Sequence, residues 1–375
     1  MRNKASSLLG WAITTWQPDP FSDEHVCKMQ FVVLFNNGSS DSVFVIAEMS
    51  ANHQGSKSLA LEIVHAAAES GADAIKFQHY KPETITVRSS HPDFEIRGGT
   101  LWDGRRLADL YADAMMPWEW TADLVSEARK LGINWLSSPF DETAVDFLEE
   151  VDVPMYKIAS FELVDLPLIR YVASKGKPVI MSTGMATEFE IDNAVRAARE
   201  GGASSVSILR CNSMYPANSS EMDLAAIPEM IKRWGIPVGL SDHTMNSVTA
   251  VAAVALGATI VEKHLTIRRS DGGPDGAFST EPAEFTQLVH DIHEAKMAIG
   301  SVRFGPSPAE VKSLAHRRSL RAVADIKAGE KITSNNVRSV RPAGGLMPDD
   351  FASIDGSTAA RDIAIGDPIT REILK

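Results

Sequence analysis

Between Val43 and about Gly300 the chain repeats one phrase eight times: a short apolar or β-branched run ending in polar residues, then a helix-periodic stretch of roughly 10 to 18 residues. The runs read FVIAE (to Glu48), AIKFQ (to Gln78), NWLSSP (to Pro139), MYKIAS (to Ser160), VIMST (to Thr183), VSILRC (to Cys211), VGLSD (to Asp242) and IVEKH (to His264). The stretches between them, such as KSLALEIVHAAAES, carry Ser, Asp or Thr near their starts. Gly71, Gly132, Gly176, Gly201 and Gly257 stand near their ends. A strand that runs into a helix before the next strand pairs in parallel, and parallel strands covered on both faces are continuously apolar. Eight such units in about 250 residues predict a closed (β/α)8 TIM barrel over 43–300. A doubly wound open sheet is the alternative, disfavoured because no Gly-rich dinucleotide fingerprint follows the first run.

The barrel does not use the whole chain of 375 residues. Residues 1–42 lack periodicity and read as an extension with a lead-in strand and turn. Within it Met29 is an alternative start, because MQFVVLFNNGSSDSVFVIAE could be a short strand, an Asn-Gly turn and the first core strand. After Gly300 a Pro-punctuated linker (301–315, including VRFGPSPAEVKS) leads to a β-rich module, 316–375, with two similar phrases, DIKAGEKIT and DIAIGDPIT. A module of about 60 residues is marginal as an independent core, so it is expected to lean on the barrel or on a second subunit. Composition narrows the function classes. A net charge of −12 argues against nucleic acid and against anionic membranes. Cys27 and Cys211 are the only cysteines, which excludes a disulfide framework or a Cys-rich zinc site. No apolar run reaches membrane-spanning length, and the opening MRNKASSLLGWAITTW is too weakly apolar for a signal peptide, so a cytoplasmic protein is expected.

Parallel strands of a barrel present their C-terminal ends at one rim, and there the chain places unusual chemistry. Two runs end in His243 and His264, separated by the small-residue helical stretch NSVTAVAAVALGA, so both imidazoles are expected at adjacent strand ends. Two histidines can hold a divalent metal and leave positions open for substrate; a structural role for either alone is the plainer reading. Lys76 and Lys157 lie within apolar runs, where an unpaired ammonium costs several kcal/mol. Either they meet an anionic ligand or they pair with Glu48 or Glu262 for structure alone. Ser138, Ser160, Ser182, Ser213 and Ser241 stand at or just past other strand ends, and hydroxyls beside lysines make a phosphate cradle. Metal, cradle and carboxylate at one rim imply a phosphorylated small molecule and metal-assisted carbonyl chemistry. One insertion of about 37 residues, 81–117, follows the second run; loops of that length on the catalytic face shape sites. Its Trp102, Asp103 and Arg105 are candidates for substrate contact or for holding a lid by ordinary packing.

The phrases IAEMSANHQG, GADAIKFQHYKPETIT, LSSPFD, YKIASFE, STGMAT, Tyr215-Pro216, VGLSDHT, EKH and GGPDGAFSTEP together resemble the sialic acid (nonulosonic acid) synthase family. The tail resembles the antifreeze-like (SAF) domain that follows the barrel in that family. LWDGRRLADLY, EMSANH and GGPDGAFS are most similar to its pseudaminic acid synthase branch, with N-acetylneuraminate and legionaminate synthases as alternatives. The resemblance implies condensation of phosphoenolpyruvate with an open-chain N-acylated amino sugar, 2,4-diacetamido-2,4,6-trideoxy-L-altrose in that branch, with release of phosphate. It also implies roles. His243 and His264 would hold the metal, manganese before magnesium or cobalt. Glu48, Lys76 and Lys157 would be catalytic. Lys76, Ser138, Lys157, Ser160, Ser182, Ser213 and Ser241 would bind phosphoenolpyruvate, although the family often has Asn at the position of Ser213. Gln78, Tyr215, Asp275 and Arg341 would bind the sugar, with Arg341 reaching a partner subunit's site in a domain-swapped homodimer. Two rivals stand beside this reading: another phosphoenolpyruvate-dependent aldol-type synthase, and a non-catalytic protein whose tail binds ice or carbohydrate.

Overall fold

A computed structural model describes residues 42–375, and the reading of 29–41 as strand and turn lies outside the described residues. The chain separates into two compact units, one ending at Gly300 and one spanning Ser301–Lys375.

The first unit is a closed barrel of eight strands in sequence order: β1 (Phe44–Glu48), β2 (Ala74–His79), β3 (Asn134–Pro139), β4 (Tyr156–Ile158), β5 (Val179–Ser182), β6 (Val206–Cys211), β7 (Val238–Asp242) and β8 (Ile260–His264). Every neighbouring pair is parallel, and β8 returns to β1. The period-2 alternation of the strands divides their apolar residues into two sets. Phe44, Ile46, Ala74, Leu136, Met155, Ile180, Leu209 and Ile260 form one cluster that plugs the barrel. Their sequence neighbours, such as Val45, Ile75, Tyr156 and Val261, join the larger core that the helices cover. Gly239 is needed at the plug, because a Cβ there would sit 2.4 Å from the Ile260 carbonyl oxygen and 2.6 Å from Leu209 Cδ2. One step above the plug, the next inward positions are polar. The register sets them side by side: Glu48 opposes Lys76 on one flank and His264 on the other, and Ser241 opposes Glu262.

Local signals hold with small shifts. The helix Lys57–Glu69 begins on Ser56, whose hydroxyl accepts from the Leu59 N–H. The helix between the two histidine strands is Val248–Ala255, shorter than the small-residue run. The fourth run is strand only to Ile158, and Ser160 opens a 3-10 turn, Ser160–Glu162. The helix Glu188–Gly201 is closed by Gly202 in the left-handed region (φ 102°), not by Gly201. Gly201 instead lets two helices approach, since its Cβ would lie 2.7 Å from Ala173 Cβ.

In the second unit β9 (Ser319–Ala322) and β10 (Val337–Val340) pair antiparallel over a core that includes Leu320, Ile326, Ile332, Ile354, Ile363 and Ile369. The two repeated phrases are partners. Ile326 and Ile363 exchange both backbone hydrogen bonds at 2.8 Å. Asp325 accepts from Ile365 N at 2.8 Å, and its counterpart Asp362 accepts from Ala328 N at 2.8 Å. No helix among the described residues is long and apolar enough to cross a membrane.

Candidate active site

The inward polar layer opens into a cavity of about 440 Å³ at the C-terminal ends of the strands. Lys76, Gln78, Lys157, Ser160, Ser182, Ser213, Tyr215, Ser241, His243, Glu262, His264 and Asp275 all line it. Glu48 and Ser138 are fully buried directly behind Lys76. Arg341 belongs to the second unit, where it is exposed.

Four charges gather at the floor, Lys76, Lys157 and Glu262 lining it and Glu48 behind Lys76. Lys76 Nζ lies 2.6 Å from Glu48 Oε2 and 3.3 Å from Glu262 Oε1, and donates to Ser138 Oγ at 3.4 Å. Lys157 Nζ donates to Glu262 Oε1 at 3.0 Å, and Ser241 Oγ donates to the same oxygen at 3.3 Å. The lysines therefore do pair with the glutamates, yet the pairs line an open cavity rather than a closed core. The two carboxyls are driven apart in acidity. Burial raises Glu48, and the neighbouring Glu262 adds to this against the pull of Lys76. Burial would raise Glu262 as well, but Lys157 and Lys76 together outweigh it and hold it at about 2. One carboxyl is thus poised to carry a proton and the other stays a counter-ion. Burial also lowers Lys157, whereas both glutamates act on Lys76 and raise it despite burial. Gln78 Nε2 and the Ser50 N–H each donate to Glu48 Oε1 at 2.9 Å, which aims that carboxyl.

A group of hydroxyls stands beside the lysines. Ser160 and Ser213 share a hydrogen bond of 2.9 Å, and Ser182 Oγ is buried without a partner among the described residues. Gly184, at φ 48°, leaves room for them: a Cβ there would fall 2.5 Å from Ser160 Cβ and 2.7 Å from Ser213 Oγ.

His243 and His264 have ring centroids 5.4 Å apart. Outside the barrel wall, Asp242 fixes the turn that carries His243: it pairs with Lys263 at 2.8 Å and accepts from the Thr244 N–H at 2.9 Å. His243 Nδ1 donates to the Asn212 carbonyl at 2.7 Å, which leaves the Nε2 lone pair free for a ligand. Burial opposes protonation of His243, but Cys211, 4.0 Å from Nδ1, and the Asn212 carbonyl raise it. Burial, His243 and Lys76 all lower His264, and its Nδ1 is buried without a hydrogen-bond partner among the described residues. The pair fits two ligands of one divalent ion at the usual metal–nitrogen distance of about 2.1 Å. Among the described residues no three His, Cys, Asp or Glu side chains gather as a metal cluster. The protein thus offers two imidazoles, and water or substrate would complete the coordination.

Part of the cavity wall is aromatic. Tyr215 lies 4.3 Å from His243 and 5.0 Å from Phe278, centroid to centroid, and Trp102 lies 5.9 Å from Tyr215. Asp275 accepts from the Ser50 hydroxyl and from the Ala51 N–H. Of the insertion's candidates only Trp102 reaches the cavity. Asp103 is spent on its own loop, accepting from the Gly98, Gly99 and Thr100 N–H groups, and Arg105 pairs with Asp113. The sequence reading passed over Ser50, Phe278 and Glu162. Glu162 lines the cavity with Oε2 unpartnered among the described residues, and burial pushes it up to about 7. The signal was an acidic residue within two positions of Ser160, in the phrase YKIASFE.

The NeuB family matches residues 63–304, and the SAF domain matches residues 317–374. The chain is 40% identical over 334 residues to the pseudaminic acid synthase of Campylobacter jejuni, which covers 89% of this chain and 97% of that one. It is 34% identical over 335 residues to the N,N'-diacetyllegionaminic acid synthase of Legionella pneumophila, covering 88% and 94%. A solved N-acetylneuraminic acid synthetase from Leptospira borgpetersenii superposes with a TM-score of 0.65 at 31% identity, over 73% of this chain and 90% of that one. With the barrel and the tail both matched, and with relatives spanning nearly their full length, the chain belongs to the NeuB family and ends in a SAF domain.

Proposed function

We propose that this chain is a pseudaminic acid synthase, condensing phosphoenolpyruvate with open-chain 2,4-diacetamido-2,4,6-trideoxy-L-altrose and water and releasing phosphate by C–O cleavage. The observation that carries this is the meeting of Lys76 and Lys157 with the His243/His264 pair in one cavity. Identity of 40% to the Campylobacter synthase, against 34% to the Legionella one, supports this choice of sugar.

Lys76 and Lys157, with Ser160, Ser182, Ser213 and Ser241, hold the phosphate and carboxylate of phosphoenolpyruvate; Ser138 fixes the Lys76 ammonium. Gln78, Tyr215 and Asp275 orient the sugar so that its aldehyde carbon faces the enol methylene carbon. A divalent ion held by His243 and His264, manganese with magnesium or cobalt as alternatives, would supply Lewis-acid polarisation of the aldehyde oxygen. Glu48 takes the proton of the water that adds beside the new carbon–carbon bond, a task suited to its raised affinity for protons. The two ammonium groups then hold the phosphate as its C–O bond breaks.

The working unit in this proposal is a homodimer in which Arg341 reaches the partner's cavity. Its support is that Arg341 is exposed and that Val302 and Phe304, at the start of the second unit, are 92% and 97% exposed. Mixing inactive His243→Ala and Arg341→Ala proteins tests it: regained turnover is expected, and none would refute the exchange. A cytoplasmic setting accords with a chain that has only Cys27 and Cys211.

The reaction is tested with phosphoenolpyruvate, manganese and a panel of 2-acetamido and 2,4-diacetamido sugars, following phosphate and product mass. The trideoxy-altrose should turn over fastest. Phosphate release only with sugar phosphates, or none at all, would overturn the proposal.

A further inference from the structure

The insertion after β2 gives the cavity a largely apolar wall: of its polar lining residues, Thr100 spends its hydroxyl on Asp103, Trp102 its N–H on the Pro274 carbonyl, and Tyr111 packs its ring on Tyr80. Ile85, Ile96, Leu107, Leu110 and Ala114, all within it, line the cavity together with Phe140. None of these side chains carries a hydrogen-bond donor or acceptor. This wall stands in the same cavity as the four-charge floor and the imidazole pair, so one chamber has an ionic region and an apolar one.

The wall is held in place from both ends. The Ile96 N–H donates to the Arg105 carbonyl and the Gly104 N–H to the Ile96 carbonyl, both at 2.9 Å, which closes a hairpin around Trp102. Trp102 Nε1 then donates to the Pro274 carbonyl at 2.9 Å, beside Asp275. The helix Leu107–Ala114 is clasped by Tyr80, whose ring lies 5.9 Å from Tyr111 and 5.3 Å from Phe140. A wall tied down in this way is preformed rather than assembled by the ligand.

We propose that this wall is a specificity subsite for the methyl-bearing, deoxygenated part of the sugar, so that the insertion selects deoxy, N-acylated substrates over their hydroxylated counterparts. The inference rests on the reaction proposed above and names the part of the sugar that the insertion reads. A hydroxyl laid against Ile96, Leu107 and Leu110 gives up water and finds no partner, whereas a methyl group gains apolar burial. A single change of this kind in an apolar pocket is worth about 10- to 100-fold in kcat/KM.

The test compares kcat/KM for a 2,4-diacetamido-2,4,6-trideoxy sugar and its 6-hydroxy counterpart, in the wild-type protein and in Leu107→Asn and Leu110→Ala. Leu107 is half-buried, so its variant guards against misfolding of the one at buried Leu110. The wild type should prefer the deoxy sugar by about 10- to 100-fold. Each folded variant should narrow that ratio several-fold, mainly through KM for the deoxy sugar, with KM for phosphoenolpyruvate unchanged. Turnover of both sugars at a wild-type ratio near one, or a ratio unmoved in both variants, overturns the subsite and leaves the reaction standing. Absence of phosphate release with every acylated sugar overturns both.

Discussion

Glu262→Gln separates a structural ion pair from an anion site. Glu262 Oε1 serves Lys157 at 3.0 Å, Lys76 at 3.3 Å and Ser241 at 3.3 Å. Lys76 keeps Glu48 at 2.6 Å when Glu262 is neutralised, but Lys157, 2% exposed, has no other ion pair among the described residues. Glutamine preserves the shape and strands one ammonium. Removing one member of a buried pair costs about 3–5 kcal/mol. Burial already lowers Lys157, so it can shed its proton, and this places the loss at the lower end of that range. At about 2–4 °C per kcal/mol for a unit of this size, the barrel's Tm should fall by about 6–12 °C. Phosphoenolpyruvate brings negative charge to the same ammonium, so it should raise the Tm of the variant more than that of the wild type. The wild-type contribution also has a pH window. Glu262 is held at about 2, below its ordinary 4.5, so its stabilisation is present above about pH 4.5 and fades as pH falls towards 2. The variant should lack that acid-labile step. Scanning calorimetry across phosphoenolpyruvate concentration and pH reads all three. A Tm within 2 °C of wild type, or an equal shift with ligand, would refute the assignment of Lys157 to the anion.

Three other perturbations address separate parts of the rim. His243→Ala should lose at least roughly 100-fold in turnover with little change in Tm, and should lose heat of manganese binding by calorimetry; near-normal turnover would remove the metal assignment. Glu48→Gln keeps acceptor contacts for the Ser50 N–H and Gln78 but cannot carry the proton, so kcat should drop about 10²–10⁴-fold and the pH–rate profile should lose one limb. Gly184→Ala puts a Cβ 2.5 Å from Ser160 Cβ at a φ of 48°, so KM for phosphoenolpyruvate should rise about tenfold while KM for the sugar holds. An equal rise in both constants would mean general distortion rather than a cradle defect.

What the sequence could disclose follows from which residues are constrained by short-range rules. Strand alternation decides that Glu48, Lys76 and Glu262 point inward, and parallel register then decides that they meet, so the inner layer of the rim was legible from eight runs and their spacing. Which lysine meets which glutamate was not. Lys157 on β4 meets Glu262 on β8, strands with three others between them on one side of the barrel and three on the other. No local pattern encodes a contact across a closed barrel; it follows from barrel diameter and side-chain length. The insertion shows the complementary failure. Without periodicity its polar residues could be read either as substrate contacts or as packing within a lid, and Asp103 and Arg105 are consumed in holding the loop. The residues that face the cavity are mostly its aliphatic and aromatic ones, which sequence reading assigns to packing by default. Glu162 escaped for a related reason: it sits in a 3-10 turn, where neither a period of 2 nor one of 3.6 says which way a side chain faces. Chemistry borne on regular elements can therefore be read ahead of the fold, whereas specificity borne on irregular loops waits for coordinates. In the proposed reaction that boundary would separate phosphoenolpyruvate handling, on the strands, from selection of the deoxy sugar, on the insertion.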